Sequence, residues 1–288
     1  MTDPPTYLPD PYATQIRRLR VATLNIFAHG GGWPDRLPVL RDGFRDLRPD
    51  VIALQEVVRN DAYDQAAEIL GDDYRILHQA QGKIDDNGIA IASRWPIRNA
   101  QEIDVQVTTR AMGLPTLALV AEIDLPEPFG PVVFATYTNE YRPAFEIDRE
   151  RQAVAVARVL EPMVDERRRH VVVAGDLNAD PDAASMRFWT GRQSLEGVSV
   201  GYRDAWGSVH PGETGHTFTP DNPLMAAANW DWPFRQIDHI LVRCSTHGLP
   251  TLHIRACQRI FDQAVGDIWG SDHFGLMADL VPPPREEP

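Results

Sequence analysis

The chain has little of what holds or addresses a protein from outside its own core. It contains only two cysteines, Cys244 and Cys257, too few for a disulfide framework. Both fall in segments that read as strands, where free thiols behave as small buried hydrophobes. No apolar run approaches the ~20 residues that cross a bilayer. The first residues, Met1 to Tyr7, lack the cationic start and apolar stretch of a secretory signal, so a cytoplasmic location is expected. Positive charge is also short: 28 Lys and Arg stand against 41 Asp and Glu, a net charge of −13. That balance argues against broad electrostatic binding of DNA or RNA, which requires many phosphates to be neutralised. No strong basic stripe, internal repeat or internal linker interrupts the chain.

What is present is an ordinary globular composition, 43% hydrophobic and 24% charged, on a length near the upper limit for one hydrophobic core. Residues 1–15 are rich in proline and polar groups and read as an N-terminal arm, and 282–288 read as a C-terminal tail. That leaves 16–281 as a single domain. Within it, short apolar runs alternate with turn signals at Leu19 to Ile26, Val51 to Leu54, Tyr74 to Leu77, Gly88 to Ala92, Thr116 to Ile123, Val132 to Thr136, Val171 to Ala174, Ile237 to Val242, Leu252 to Ile260 and Gly275 to Val281. Their length and β-branched content predict strands. Helical spacing occurs at Leu37, Leu40, Phe44 and Leu47, around Tyr63 to Leu70, and at Ile147, Val154, Ala157 and Leu160, with acidic residues near the starts. About ten strands with few helices imply an α/β fold of two sheets packed face to face and flanked by helices.

Several strands end abruptly in carboxylates or amides, where α/β scaffolds commonly carry chemistry. Asn25 interrupts the apolar run from Val21 to Ile26, and an interior amide must find a partner or a metal to offset its desolvation. Val51 to Leu54 terminates in Gln55-Glu56, and a carboxylate at a strand mouth is either a surface cap or an oxygen ligand for a hard cation. Val171 to Ala174 is followed by Gly175-Asp176-Leu177-Asn178. The glycine permits close backbone approach, and the two-residue spacing of Asp176 and Asn178 directs both side chains to one side, where one could hold a water and the other meet an ester oxygen. An Asx-rich turn leading into Asp180-Pro181 is the plainer alternative. Asp238 stands at the entrance of another strand, and Asp272-His273 precede the last one. An Asp from one loop can orient a His from another and keep its imidazolium available to pair with an anion.

Taken in order, Thr23-Leu24-Asn25-Ile26, Leu54-Gln55-Glu56-Val57, Gly175-Asp176-Leu177-Asn178, Ile237-Asp238-His239-Ile240 and Ser271-Asp272-His273 resemble the signature of the endonuclease/exonuclease/phosphatase superfamily. The resemblance runs from about residue 18 to residue 281. It implies a four-layer α/β/β/α sandwich, two mixed sheets between helices, with the site at one end of the sheets. It further implies that Glu56, aided by Asn25 and Asp272, holds Mg2+ or Mn2+. Asp176 would orient or deprotonate water, Asn178 would contact the phosphate, and Asp238 with His273 would stabilise the charged intermediate.

One departure stands out. Members usually carry a Thr-His-Leu stretch whose histidine reaches a phosphate oxygen, and the matching positions here are Tyr137-Thr138-Asn139. Either Tyr137 or Asn139 is expected to supply the missing hydrogen bond, and loss of one charge-assisted contact costs on the order of 10²-fold in rate. Arg94, Arg110 and Arg142 are candidates for phosphate contact, while Arg167-Arg168-Arg169-His170 read as the end of a helix. Trp33 and Trp230 to Phe234, Trp232 among them, would put aromatics at the rim, to stack on substrate or to pack the domain. The expected activity is a metal-dependent phosphodiesterase acting by direct water attack on a small, lipid or nucleic-acid diester. A sugar or inositol phosphate monoesterase, or a binding protein weakened by the missing histidine, are the alternatives.

Overall fold

The computed structural model describes residues 16–81, 85–108, 117–168, 170–227 and 234–283. The terminal arm, Arg110, Arg169, Trp230, Trp232 and the end of the tail lie outside the described residues.

Among the described residues, twelve strands form two six-stranded sheets. The first sheet contains β1 (Leu19–Asn25), β2 (Val51–Val58), β3 (Arg75–His78), β4 (Asn87–Ser93), β11 (His253–Ile260) and β12 (Gly275–Val281), in the order β11-β12-β1-β2-β4-β3. The second contains β5 (Ile97–Asp104), β6 (Leu117–Asp124), β7 (Pro131–Tyr137), β8 (His170–Asp176), β9 (Tyr202–Asp204) and β10 (Asp238–Arg243), in the order β5-β6-β7-β8-β10-β9. Each sheet is antiparallel except for one central parallel pair, β1 with β2 and β7 with β8. A parallel pair needs a crossover. Helices α1 (Trp33–Leu47) and α3 (Glu146–Leu160) supply the two crossovers on opposite outer faces, and α2 (Gln65–Leu70) and α4 (Ala184–Trp189) complete the helical layers. Two short helices, α5 (Ala205–Val209) and α6 (Pro223–Ala227), follow β9. The result is the expected pair of mixed sheets flanked by helices.

Strand alternation explains where the chemistry sits. On β1, Leu19 and Val21 enter the core between the sheets, while Ala22 and Leu24 enter the core under α1. Thr23 and Asn25 therefore continue the inter-sheet face. On β8, Val172 and Ala174 face the other sheet and Asp176 follows them; on β10, Ile240 and Val242 do so and Asp238 precedes them. Three apolar stripes thus end in three polar groups at the same end of the sandwich. Just beneath lies a buried polar rung, with Thr23 Oγ1 donating to Gln55 Oε1 at 3.3 Å and Gln55 Nε2 donating to Thr136 Oγ1 at 3.1 Å.

The structure adds strands β5 and β9 and helices α4 to α6 to the elements read from sequence. β5 and β9 are edge strands; β5 is largely exposed and β9 only three residues long, so neither carries an alternating apolar stripe. The basic run after α3 is corrected: α3 ends at Leu160, Arg168 is bonded to Asp165 at 2.8 Å in the following loop, and His170 opens β8. Among the described residues, no helix is long and apolar enough to cross a membrane.

Candidate active site

The mouth of the sandwich is built from five loop or strand ends. Asn25 closes β1, and its Nδ2 donates to Glu56 Oε1 at 3.0 Å and to Asp176 Oδ2 at 3.2 Å, joining the two sheets. Its Oδ1 accepts the Phe27 N–H at 3.0 Å. Strict alternation after Ile52 and Leu54 would turn Glu56 toward the helices, but the β2–β4 register breaks between Leu54 and Val57, and Glu56 sits at φ 55°. This bulge re-aims the carboxylate into the mouth.

Asp176 ends β8, directly across from Asp238 in the β8–β10 register. The Asn178 N–H donates to Asp176 Oδ1 at 3.1 Å, and Asn178 adopts φ 49°, as an Asx turn allows. Asn178 Nδ2 donates to the Asn139 carbonyl at 3.2 Å, and Asn139 Nδ2 donates to the Leu177 carbonyl at 3.0 Å. Asn139 Oδ1 is buried without a hydrogen-bond partner among the described residues. Gly175 makes this junction possible, since a Cβ there would lie 2.4 Å from the Tyr137 carbonyl of the neighbouring strand.

Asp238 Oδ2 and His273 Nδ1 are 2.9 Å apart, while Asp238 Oδ1 is buried with no partner among the described residues. The Asp238 backbone N–H donates to Thr217 Oγ1 at 3.1 Å, and the Phe218 ring lies 4.8 Å from that of His273. Ser271 Oγ donates to the Asn25 carbonyl at 2.6 Å, tying the Asp272-His273 loop to β1.

Electrostatics follow from this crowding. Burial, with Asp238 and Glu56 adding to it against His273 and the Asn25 amide, pushes Asp176 up to about 7. Burial, with Glu56 adding to it, pushes Asp272 up to about 6 against His273, Ser271 and Arg36. Burial by itself would lower His273, but the charge and hydrogen bond of Asp238, together with Asp176 and Asp272, outweigh it and push His273 up to about 10. The ligating atoms of Asp176, Asp238 and His273 lie within 4.8 Å of one another. An imidazolium cannot ligate a cation, so this trio is better suited to handling protons and anions. Glu56 and Asp272 could serve as oxygen donors to a hard divalent ion, since the charge of Glu56 acts against that of the buried Asp272 and a cation would relieve the repulsion. Asn25 as placed presents its amide nitrogen to the carboxylates, so its oxygen reaches an ion only if the amide turns over.

Of the residues expected from sequence, Asn25, Glu56, Asp176, Asn178, Asp238, Asp272, His273 and Asn139 come together. Four others do not. Tyr137 falls on the other face of β7: it is fully buried with Val133 and Ala135 in the core under α3, and its hydroxyl accepts from Trp189 Nε1 at 2.9 Å. Alternation decides this, because Phe134 and Thr136 occupy the inter-sheet face. Arg142 is held by the buried Glu140 through both oxygens, at 2.7 and 2.8 Å. Arg94 stands at the opposite end of the sheets, 3.4 Å from Asp50. Trp33 packs inward, its Nε1 donating to Tyr63 Oη at 2.6 Å.

Sequence reasoning missed Arg36. It is 1% exposed and donates to the carbonyls of Ile26, Phe27, Ala28 and Gly30 on one loop and of Gly270 on the other, at 2.7–3.2 Å. It therefore clamps the Asn25 loop to the Asp272 loop. Burial lowers its pKa to about 10 against the pull of Asp272 and Glu56, well above neutrality, so the clamp stays charged. Its signal was position: Arg36 lies four residues before Leu40 and eight before Phe44, on the buried stripe of α1.

The sequence pattern of the Endonuclease/Exonuclease/phosphatase family matches residues 22–273. No protein of curated function matches the chain. Similar solved structures include D. rerio TDP2 complexed with single strand DNA product, 19% identical, covering 91% of this chain and 98% of that one with a TM-score of 0.69. The human Nocturnin catalytic domain with bound sulfate anion is 18% identical, covering 93% and 94% with a TM-score of 0.70. An endonuclease/exonuclease/phosphatase from Bacteroides vulgatus is 18% identical, covering 92% and 99% with a TM-score of 0.68. At such identities the likeness is one of fold.

Proposed function

We propose, from the premise that the chain belongs to the endonuclease/exonuclease/phosphatase family, that it is a divalent-metal-dependent phosphodiesterase using direct attack of water. Family membership carries hydrolysis of a phosphoester with it; the diester, the metal and the residue roles are this reading. The observation that carries it is the Asp238–His273 pair, 2.9 Å apart and buried, set across from Asp176 and beside Glu56 and Asp272.

A phosphoester asks for charge neutralisation, an in-line water and donors for the non-bridging oxygens. Asp176, raised toward neutrality, orients the water and accepts its proton as the new P–O bond forms and the ester oxygen departs. Asp238 orients the His273 ring and holds the imidazolium, whose Nε2–H then donates to a phosphoryl oxygen. Asn178 and Asn139 line the same side, and Asn139, whose Nδ2 keeps a second N–H beyond the one given to the Leu177 carbonyl, rather than Tyr137 takes the place of the family's histidine. Mg2+ or Mn2+, held by Glu56 and Asp272 with Asn25 turned toward it, would neutralise charge on the phosphoryl group.

A monoester brings a further negative charge, and among the described residues the arginines near the mouth are already engaged: Arg142 by Glu140, Arg235 by Asp180 at 2.8 Å, and Arg36 by backbone carbonyls. This supports a diester over a sugar or inositol monoester. Residues 16–281 act as one catalytic unit in this reading, and the two buried free thiols support a cytoplasmic setting.

The test is hydrolysis of bis(p-nitrophenyl) phosphate beside its monoester, with Mg2+, Mn2+ or EDTA, for the wild type, Asp176→Asn and Glu56→Ala. Metal-dependent diester turnover, abolished in both variants, is expected. Turnover in EDTA, or a trapped phosphoenzyme, would sink the mechanism.

A further inference from the structure

We infer that the end of the sandwich opposite the active site carries a second anion site, built for a small diphosphate-type ligand. The inference stands on its own residues and does not depend on the proposed activity. A cleft of about 770 Å³ opens there between the start of β1, the end of α1, the turn after β4 and the strands β11 and β12. Such a volume suits a nucleotide-sized molecule. Six arginines and three aspartates line it, an excess of positive charge in a chain whose net charge is −13.

The aspartates are largely spent on fixing the frame. Asp279 binds Arg18 at 3.1 Å and Arg20 at 3.0 Å, and Asp50, 8% exposed, accepts the Arg20 N–H at 2.9 Å and lies 3.4 Å from Arg94. Asp46 leans 3.8 Å from Arg45 on the outer surface. Arg17, Arg48 and Arg255 have no acidic partner among the described residues, and all three are exposed.

Two backbone irregularities present these side chains to the cleft. Arg48 ends α1 in the left-handed conformation at φ 46°, which a non-glycine residue adopts at a cost. Arg255 is the extra residue of a bulge where the β11–β12 register slips between Ile254 and Ala256. Bulges of this kind re-aim a side chain.

Charge matching selects the ligand class. Each phosphoryl group carries roughly −1.5 to −2 near pH 7, so a diphosphate offers about what three free guanidiniums neutralise, and guanidinium forks bind phosphate oxygens in pairs. A single carboxylate would leave the cleft cationic. A long polyanion would have to lie against the acidic remainder of the surface, whereas a compact one sits within the ~8–10 Å over which the cleft's field persists. Arg20 and Asn25 are five residues apart on β1, roughly 16 Å at the usual strand rise, so a small ligand in this cleft cannot also reach the catalytic mouth.

Calorimetric titration of pyrophosphate into the EDTA-treated protein tests this, with inorganic phosphate, a short single-stranded oligonucleotide and a polyglutamate peptide as competitors. Both altered arginines are exposed, so the Arg48→Ala/Arg255→Ala double variant should keep its fold, checked by its circular dichroism and melting temperature, and its diesterase rate. We expect saturable pyrophosphate binding, weakened at least tenfold by the double substitution, unchanged by Glu56→Ala, and stronger than binding of phosphate. Absence of saturable binding overturns the proposal, as does binding lost in Glu56→Ala yet intact in the double variant. Tighter binding of the oligonucleotide or the peptide, lost in the double variant, overturns the assigned ligand class.

Discussion

Replacing Arg36 with leucine would strand five backbone carbonyls at a buried junction of two loops. Losing a buried, fully bonded charge of this kind costs about 3–5 kcal/mol, which for a chain of this size lowers the melting temperature by roughly 10 °C; calorimetry of Arg36→Leu measures it. Asn139 offers a second comparison at this scale. Its Nδ2 keeps a second N–H beyond the one given to the Leu177 carbonyl and stands beside Asn178, whereas the Tyr137 hydroxyl, accepting from Trp189, lies in the core under α3. Asn139→Ala is therefore expected to lower kcat on a diester by ~10²-fold, while Tyr137→Phe lowers stability by about 1 kcal/mol and leaves kcat in place. The reverse pattern would return the missing-histidine role to Tyr137. Asn25, Glu56, Asp176, Asn178 and Asp238 were legible because each breaks or ends an apolar run, and Asp272 and His273 because they complete the resemblance to the family. Arg36 was not singled out, because an arginine on an amphipathic helix is ordinarily a solvated one.

At the scale of elements, the site depends on how closely β7 approaches β8. A methyl group on residue 175 would stand 2.4 Å from the Tyr137 carbonyl, so Gly175→Ala must part the two strands that carry Asn139 and Asp176. Its expected effect is a fall in melting temperature together with loss of diester turnover. A variant with wild-type stability and rate would show that the strands can give without cost. The same scale shows where strand alternation holds and where it fails. Period-two alternation along β7 assigns Tyr137 to the helical face and would assign Asn139 there as well; only the end of the strand at Tyr137 frees Asn139 to meet the Leu177-Asn178 turn. The bulge at Gln55-Glu56 has a similar lesson: alternation would have turned Glu56 away, and only the register slip between Leu54 and Val57 brings it to the mouth. Edge strands β5 and β9 left no apolar stripe to read.

At the scale of the whole molecule, the charges gathered at the mouth give stability a direction in pH. Asp176 at about 7 and Asp272 at about 6 bind protons more tightly in the folded chain than in the unfolded one. Their contribution is complete below the ordinary carboxylate range and is lost as pH rises through 6 and 7. His273, pushed up to about 10, contributes fully below its ordinary value near 6.5 and loses that contribution as pH rises through 10. All three act in one direction, so the metal-free protein should lose stability from pH 5 to pH 9. A divalent ion bound by Glu56 and Asp272 competes with protons, so the rise in melting temperature on adding Mg2+ or Mn2+ should be larger at pH 8 than at pH 5. An equal rise at both values would remove Glu56 and Asp272 as ligands.

The sequence by itself determined the layers of this protein and the chemical types at its mouth. Apolar periodicity needs no partner to be read, and a polar group that ends a buried strand declares its cost wherever the strand goes. Tertiary structure alone decided which strand ends meet, that Arg94 belongs to the opposite end of the sandwich, that Arg142 is occupied by Glu140, and that one buried arginine joins two distant loops. Those facts depend on register, bulges and contacts between segments up to hundreds of residues apart, such as Ser271 with Asn25, and no local pattern in the chain encodes such distances.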